Sequence, residues 1–262
     1  MQRVHFIAIG GEAMHNLAIA LSKKNEYEVT GSDDEIFEPS YSRLKENGLL
    51  PREIGWFPER IHKNLNAVIL GMHAAEDNPE LIRAKELGIH IYSFPEYLFQ
   101  QTRSKTRIVV GGSHGKTTTT AMILFVLKKC RIKADYIVGE QIEGFNEKIK
   151  LSFESRIAVF EGDEYLTSML DRRPKFHLYK PHIAILTGIA WDHINVFPTF
   201  EFYVDQFRKF LNTLETQARL IYFAGDENLK ILTDEAENTR RDVVSFPYNT
   251  PKYETRDGVT YV

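Results

Sequence analysis

The stretch VVGGSHGKTTTT, residues 109–120, sets Gly111, Gly112, Ser113, His114 and Gly115 ahead of Lys116 and four threonines. Successive backbone N–H groups at a strand-to-helix turn form a concave cradle for phosphate, and the following helix adds the partial positive charge of its N-terminus. Glycine lets the main chain approach an anion closely, Lys116 can reach terminal phosphates, and the Thr117 hydroxyl can ligate Mg²⁺. The full phosphate-loop pattern wants a further glycine where this chain has Val110, but the flanking runs RIVV and AMILFVLKK supply the strand and helix the motif requires. The loop reads as a holder for a nucleoside triphosphate. Thr119 and Thr120 read as first-turn helix residues.

Two acidic sites accompany it. VFEGDEYL puts Glu161, Asp163 and Glu164 at the end of an apolar strand. In an open α/β sheet that end faces the ligand crevice, so one of these carboxylates is a Mg²⁺ partner across from Thr117. ILTGIAWDHINVF repeats the arrangement with Asp192 and His193, which read either as a surface turn or as a ligand pair.

A weaker glycine turn opens the chain. IAIGGEAMHNLA, laid against G-x-G-x-x-G, gives Ala8, Gly10 and Ala13, one glycine of three. Asp33, in VTGSDD after the second strand, sits where a carboxylate accepts a hydrogen bond from a ribose hydroxyl; the alternative is a tight turn with a loop aspartate.

These turns need strands and helices to hold them. RVHFIAI, AMHNLAIALSKK, YEVTG, YSRLKEN, NAVIL, NPELIRAKELG and IHIYS alternate short β-branched runs with helix-period segments, which predicts βαβ units on a parallel sheet. Met14, Leu17, Ala18 and Leu21 form one apolar helix face, and Gly88 reads as a helix stop. The polar run FQQTRSKT, 99–106, lacks apolar periodicity and predicts a boundary between domains 1–104 and 105–262. A second α/β series follows, with a helix from Lys116 to about Lys129; the aromatics Phe200, Phe202, Tyr203, Phe207 and Phe210 read as helix core.

Composition bounds the partner. The chain has 262 residues, 43% hydrophobic and 26% charged, with a formal charge of -3, so no global field gathers nucleic acid or an anionic membrane. The single cysteine, Cys130, permits no internal disulfide, suits a reducing compartment and reads as core filler. No run of about 18 apolar residues occurs, so the expected setting is soluble and cytoplasmic, with no membrane partner.

Together these pieces resemble the Mur ligase family, whose phosphate loop reads close to G-T-H-G-K-T-T-T; Gly112 to Thr119 match it with Ser113 in place of the first threonine. EGDEY resembles the family's strand-end D-E, and GIAWDH its N-I-x-x-D-H, with Gly188 where the family has asparagine. HFIAIGGEAM, VTGSD and VILGMHAAEDNPEL resemble the UDP-binding turns of the muramate-binding members. The resemblance implies a Rossmann-like parallel-sheet domain for a UDP-sugar followed by a P-loop-type α/β domain for ATP, the latter incomplete and a further C-terminal domain missing. It implies ATP contacts at Gly112, Ser113, His114, Gly115, Lys116, Thr117 and Thr118, and UDP-sugar contacts at Gly10, Gly11, Met14, Ser32, Asp33 and His73. It implies metal ligation by Thr117, Glu164 and His193, and catalytic roles for Lys116, Glu164 and His193.

The implied reaction joins the lactyl carboxylate of UDP-N-acetylmuramate, through an acyl phosphate, to an incoming amine, with ATP and Mg²⁺. DRRPKFHLYKP, 171–181, and GGEAM resemble the family member that adds the tripeptide L-alanyl-γ-D-glutamyl-meso-diaminopimelate in peptidoglycan recycling. The member that adds L-alanine in peptidoglycan biosynthesis is the alternative. A non-catalytic nucleotide-binding module is a reading of another class; an NAD-dependent oxidoreductase leaves the phosphate loop without a purpose.

Overall fold

The structure, a computed structural model, describes residues 1–168 and 171–257 and the backbone of 259–261. The first part of the chain runs β1 (Gln2–Ile7), α1 (Glu12–Ser22), β2 (Tyr27–Ser32), α2 (Ser40–Glu46), β3 (Ala67–Leu70), α3 (Pro79–Glu86), β4 (Ile91–Ser93) and α4 (Phe94–Thr102). Its four strands are parallel in the order β2-β1-β3-β4. Parallel strands covered on both faces carry near-continuous apolar runs, as AVIL in β3 does. Met14, Leu17, Ala18 and Leu21 are buried as their spacing requires. Gly88 takes a φ of +65°, the left-handed conformation that stops a helix, just beyond α3.

The second part runs β5 (Thr106–Gly111), α5 (Lys116–Lys129), β6 (Ala134–Ile137), β7 (Ile149–Lys150), β8 (Ile157–Glu161), β9 (Ile183–Leu186), α6 (Phe200–Asn212), β10 (Arg219–Phe223), α7 (Glu227–Thr239) and β11 (Val244–Tyr248). The strand order is β11-β10-β9-β5-β8-β6-β7, parallel throughout except for β7 at the edge. A short antiparallel pair, β12 (Glu254–Arg256) and β13 (Val259–Tyr261), follows. The strand-rich tail read in the sequence includes Gly258 and Val262, which lie outside the described residues. In both sheets the strand order reverses beside the first strand, β1 or β5, and the glycine turn follows that strand. Such reversal points leave a crevice at the strands' carboxyl ends where ligands bind.

Three readings are corrected. The polar run 99–106 is not all linker: α4 carries through Thr102, started by a Ser93–Glu96 capping box with Pro95 in the first turn, and buries Phe94, Tyr97 and Leu98 while Gln100 faces outward. Cys130 is exposed rather than core, because it lies just past the end of α5. Of the α6 aromatics, Tyr203, Phe207 and Phe210 are buried but Phe202 is exposed, falling on the outer side of the helix.

The link between the two sheets is gripped by one side chain. Arg107, buried on β5, donates to the carbonyls of Thr102, Arg103 and Lys105 at 3.1–3.2 Å and to those of Tyr179 and Lys180 at 2.9 and 3.0 Å. Its Nη2 donates to Glu215 at 2.6 Å. Arg107→Met removes the donor from these carbonyls, of which Thr102 O keeps the Lys105 N–H, and each buried group left unsatisfied costs about 1–3 kcal/mol. Urea unfolding of the variant is expected to show a loss of roughly 3 kcal/mol or more; a loss below ~1 kcal/mol shows that water replaces the clasp.

Candidate functional site

The phosphate loop takes the shape its glycines permit. Gly112 has a φ of +129° and Gly115 of +79°. A Cβ at Gly112 would stand 2.2 Å from Thr187 Oγ1, so no other residue fits without moving the β9 loop. Thr187 braces the turn, its hydroxyl donating to His114 O at 2.6 Å, while Ser113 N–H donates to Gly188 O at 3.0 Å. Gly188 itself has a φ of +143°, which explains glycine at a position where a side chain is strained. The first amides of α5 lack partners within the helix and face the turn.

Lys116 folds back over the loop. Its Nζ donates to Gly112 O at 2.7 Å and lies 3.0–3.2 Å from the carboxylate of Glu164, which is fully buried. Burial raises the Glu164 carboxyl above the ordinary glutamate range, and Lys116 offsets part of that rise. Burial alone would raise Asp163 likewise, but Lys175, at 2.6 Å, more than offsets it and holds the group low.

The expected pairing of Thr117 with Glu164 is not the contact the side chains make. Thr117 Oγ1 donates to Glu161 Oε1 at 2.7 Å, and the other oxygen of Glu161 accepts from Gly139 N–H at 2.8 Å. Glu161 ends β8 and reaches sideways to α5, whereas Glu164, beyond Gly162, turns under the loop. Glu164 instead lies with Asp192 and His193: one ligand atom from each falls within 4.8 Å of the others. Oε2 of Glu164 has no hydrogen-bond donor, because Lys116 approaches it off a hydrogen-bonding direction. His193 Nε2 lies 3.7 Å from Oε1 of Glu164, and a buried carboxylate with a second carboxylate and an imidazole in reach fits a divalent cation. His193 is held in the left-handed region, φ +52°, and its ring meets Tyr165 edge-on.

Two further residues, neither assigned a site role by the sequence, complete the setting. Tyr203 on α6 hydrogen-bonds both Ser113 and Glu164, and Asp226 accepts from Ile189 N–H at 2.6 Å while capping α7. His114 and Thr118 are exposed at the mouth of the loop.

In the first domain Ala8 adopts a φ of +65° and Gly10 N–H donates to Asp33 Oδ2 at 2.6 Å. A Cβ at Gly10 would stand 2.8 Å from that oxygen. Asp33 therefore shapes the turn, and burial pushes its carboxyl up to about 6 against the opposing pull of the Gly10 bond. The Ser32 hydroxyl is buried among His5 and Arg60, since Thr30 and Ser32 share one face of β2 and both meet His5. The Ser32 carbonyl is taken as well, accepting from the Ala8 and Ile9 N–H groups at 2.9 and 3.1 Å, so Ser32 shapes the turn. A cleft of about 380 Å³ joins the two turns: Gly11, Met14 and His73 line it from one side, Lys116, Glu161 and Lys175 from the other.

Two parallel sheets, each with a glycine turn at its reversal point, and a lysine-bearing phosphate loop backed by buried acids define a two-domain nucleotide-binding α/β protein. The chain belongs to the Mur ligase family: residues 3–106 match the profile described as Mur ligase family, catalytic domain, and residues 110–261 that of the Mur ligase middle domain. It is 31% identical over 229 residues to the UDP-N-acetylmuramate–L-alanyl-γ-D-glutamyl-meso-2,6-diaminoheptandioate ligase of Escherichia coli K12, covering 87% of this chain and 50% of that protein. It is 35% identical over 219 residues to the UDP-N-acetylmuramate–L-alanine ligase of Carboxydothermus hydrogenoformans, covering 83% and 44%. The solved tripeptide ligase from Neisseria meningitides superposes with a TM-score of 0.78 at 26% identity, covering 90% of this chain and 75% of that one. The alanine ligase of Thermotoga maritima shares the fold, with a TM-score of 0.67 at 24% identity over 97% of this chain and 54% of that one. The chain spans about half the length of the curated relatives it matches. No helix among the described residues is long and apolar enough to cross a membrane.

Because the folded Asp33 carboxyl holds its proton up to about pH 6 and an unfolded one titrates at 3.8, this group favours the folded state fully below pH 3.8 and loses that contribution as pH rises towards 6. Asp33→Asn keeps an acceptor for Gly10. It is expected to flatten the pH dependence of unfolding free energy between pH 4 and 6 by roughly 1–3 kcal/mol, read by urea titration at several pH values. Parallel curves for variant and parent would place the proton elsewhere.

Proposed function

We propose that this chain forms the UDP-sugar and ATP sites of a ligase that activates the lactyl carboxylate of UDP-N-acetylmuramate as an acyl phosphate for attack by an amine. The observation that carries the reading is the shared cleft: the UDP-type turn at Gly11 and the phosphate-loop Lys116 face the same volume. The carboxylate and the triphosphate are both anionic, so the work of the site is charge neutralisation and alignment. Lys116 stabilises charge on the β/γ-phosphates, and the unpartnered amides at the start of α5 enclose them. Glu164, Asp192 and His193 would hold one divalent cation and Thr117, with Glu161 behind it, would meet another; magnesium there supplies Lewis-acid neutralisation of phosphate oxygens. Lys148 and Lys175 bring two more cations to the cleft wall. No side chain needs a general-base role for the carboxylate to attack.

The tripeptide L-alanyl-γ-D-glutamyl-meso-diaminopimelate is the proposed acceptor, supported by the run 171–181 and by similarity to the Escherichia coli and Neisseria proteins. L-alanine is the second reading, supported by the relatives named for it at 30–35% identity. The proposed setting is the cytoplasm, where both nucleotides are available.

Calorimetric titration tests the two-site arrangement. Lys116→Ala is expected to weaken MgATP binding about 10-fold or more and leave UDP-N-acetylmuramate binding within about 2-fold, since a charge-assisted phosphate contact contributes about 1.5–3 kcal/mol. Equal loss of both ligands contradicts separate sites. Phosphate release stimulated by the tripeptide and not by L-alanine supports the first acceptor; the reverse selects the second.

A further inference from the structure

The ring of Tyr203 is fully buried in the first turn of α6, packed against Phe197 and Phe207 at centroid distances of 5.2 and 5.3 Å. Packing accounts for the ring but not for the phenol oxygen. That oxygen lies 2.9 Å from Ser113 Oγ, which belongs to the phosphate loop, and 3.2 Å from Glu164 Oε1. Ser113 Oγ in turn accepts from Ala190 N–H at 2.9 Å, on the loop that leads to Asp192 and His193.

The donor inventory fixes the direction of these bonds. An amide can only donate and an ionised carboxylate can only accept, while each hydroxyl has one proton. Glu164 Oε1 takes the phenol proton, so Tyr203 has none left for Ser113, and the serine must donate to the tyrosine. The chain therefore runs Ala190 N–H to Ser113 O–H to Tyr203 O–H to Glu164, every proton pointing at the carboxylate. The other oxygen of Glu164 has no hydrogen-bond donor and stands 3.0 Å from the Lys116 ammonium.

We infer that Tyr203 is a positioning residue, held by Ser113, that fixes the orientation of the Glu164 carboxylate beside Asp192 and His193, where the three would hold a divalent cation. The inference rests on the proposed phosphate and metal site. It also gives a purpose to the hydroxyl at 113, which joins the phosphate loop to α6. Outer hydrogen bonds of this kind typically alter metal affinity about 10–100-fold.

The test uses the full 262-residue chain with Mn²⁺ as probe, its binding in the presence of ADP followed by electron paramagnetic resonance. Tyr203→Phe keeps the ring and removes the proton, and is expected to weaken Mn²⁺ binding about 10–100-fold. Ser113→Ala breaks the chain one bond earlier without touching the aromatic packing and should act in the same direction, whereas Ser113→Thr, which restores the hydroxyl, should bind as the parent does. In a Glu164→Gln background Tyr203→Phe should change nothing further. Both Tyr203→Phe and Ser113→Ala binding Mn²⁺ like the parent, even with lowered unfolding midpoints, would assign Tyr203 to packing alone and overturn the inference while leaving the phosphate site standing. Failure of the parent chain to bind Mn²⁺ with ADP would instead overturn the site itself, and the inference with it.

Discussion

One buried charge sets the geometry of this protein's second half. Glu164 is out of reach of water, and Lys116 is the cation beside it. A carboxylate in that position is tolerated only when charge and hydrogen bonds surround it. Lys116 meets that need while its ammonium also clasps Gly112 O, so the curvature of the phosphate loop and the burial of the acid depend on one another. The lysine that a phosphate would recruit is thus held ready by a group of the opposite sign. A triphosphate bound there, as proposed, would exchange one anionic partner of Lys116 for another, rather than draw a solvated side chain out of water.

Around that pair three chain segments converge that sequence distance keeps far apart. The loop after β5 carries Ser113 and Lys116, the loop after β8 carries Glu164, and the loop after β9 carries Asp192 and His193. Parallel pairing of β8 and β9 on either side of β5 brings their carboxyl ends side by side. The reversal of strand order at β5 opens the space between them, and the same reversal at β1 opens the space above Gly10.

Much of this was legible in the residues. Gly112 and Gly115 were readable because their demand is local: a positive φ at a strand-to-helix turn excludes most other residues whatever surrounds it. The parallel sheets were readable because strands covered on both faces carry unbroken apolar runs. The carboxylate opposite Thr117 was not. Glu161, Asp163 and Glu164 share one strand end, and only the turn at Gly162 decides which reaches α5 and which goes beneath the loop. Tyr203 read as core because its ring is core; its hydroxyl's partner Ser113 is 90 residues upstream, a separation no local pattern encodes. Helix α4 hid in a polar run because Gln100 lies on the solvent side while Gln101 is spent on Lys24 and Tyr27, far away in sequence, and Arg107 gave no hint that one guanidinium gathers five carbonyls.

The contacts that cross between the two domains beside the cleft are of a different kind. Glu12, in the first turn of α1, meets Lys148 at 2.6 Å, and Lys23 meets Glu147. The acid of the first pair is largely in water and both ends of the second are partly so, and pairs of that sort contribute at most about 1 kcal/mol each and weaken with salt. Apolar packing crosses the same edge, since buried residues of α1 share one core with Ile149 and Leu151, and Lys24 lies over the Phe153 ring. Salt therefore loosens the charged fringe of this joint while the apolar contacts beside it keep their strength.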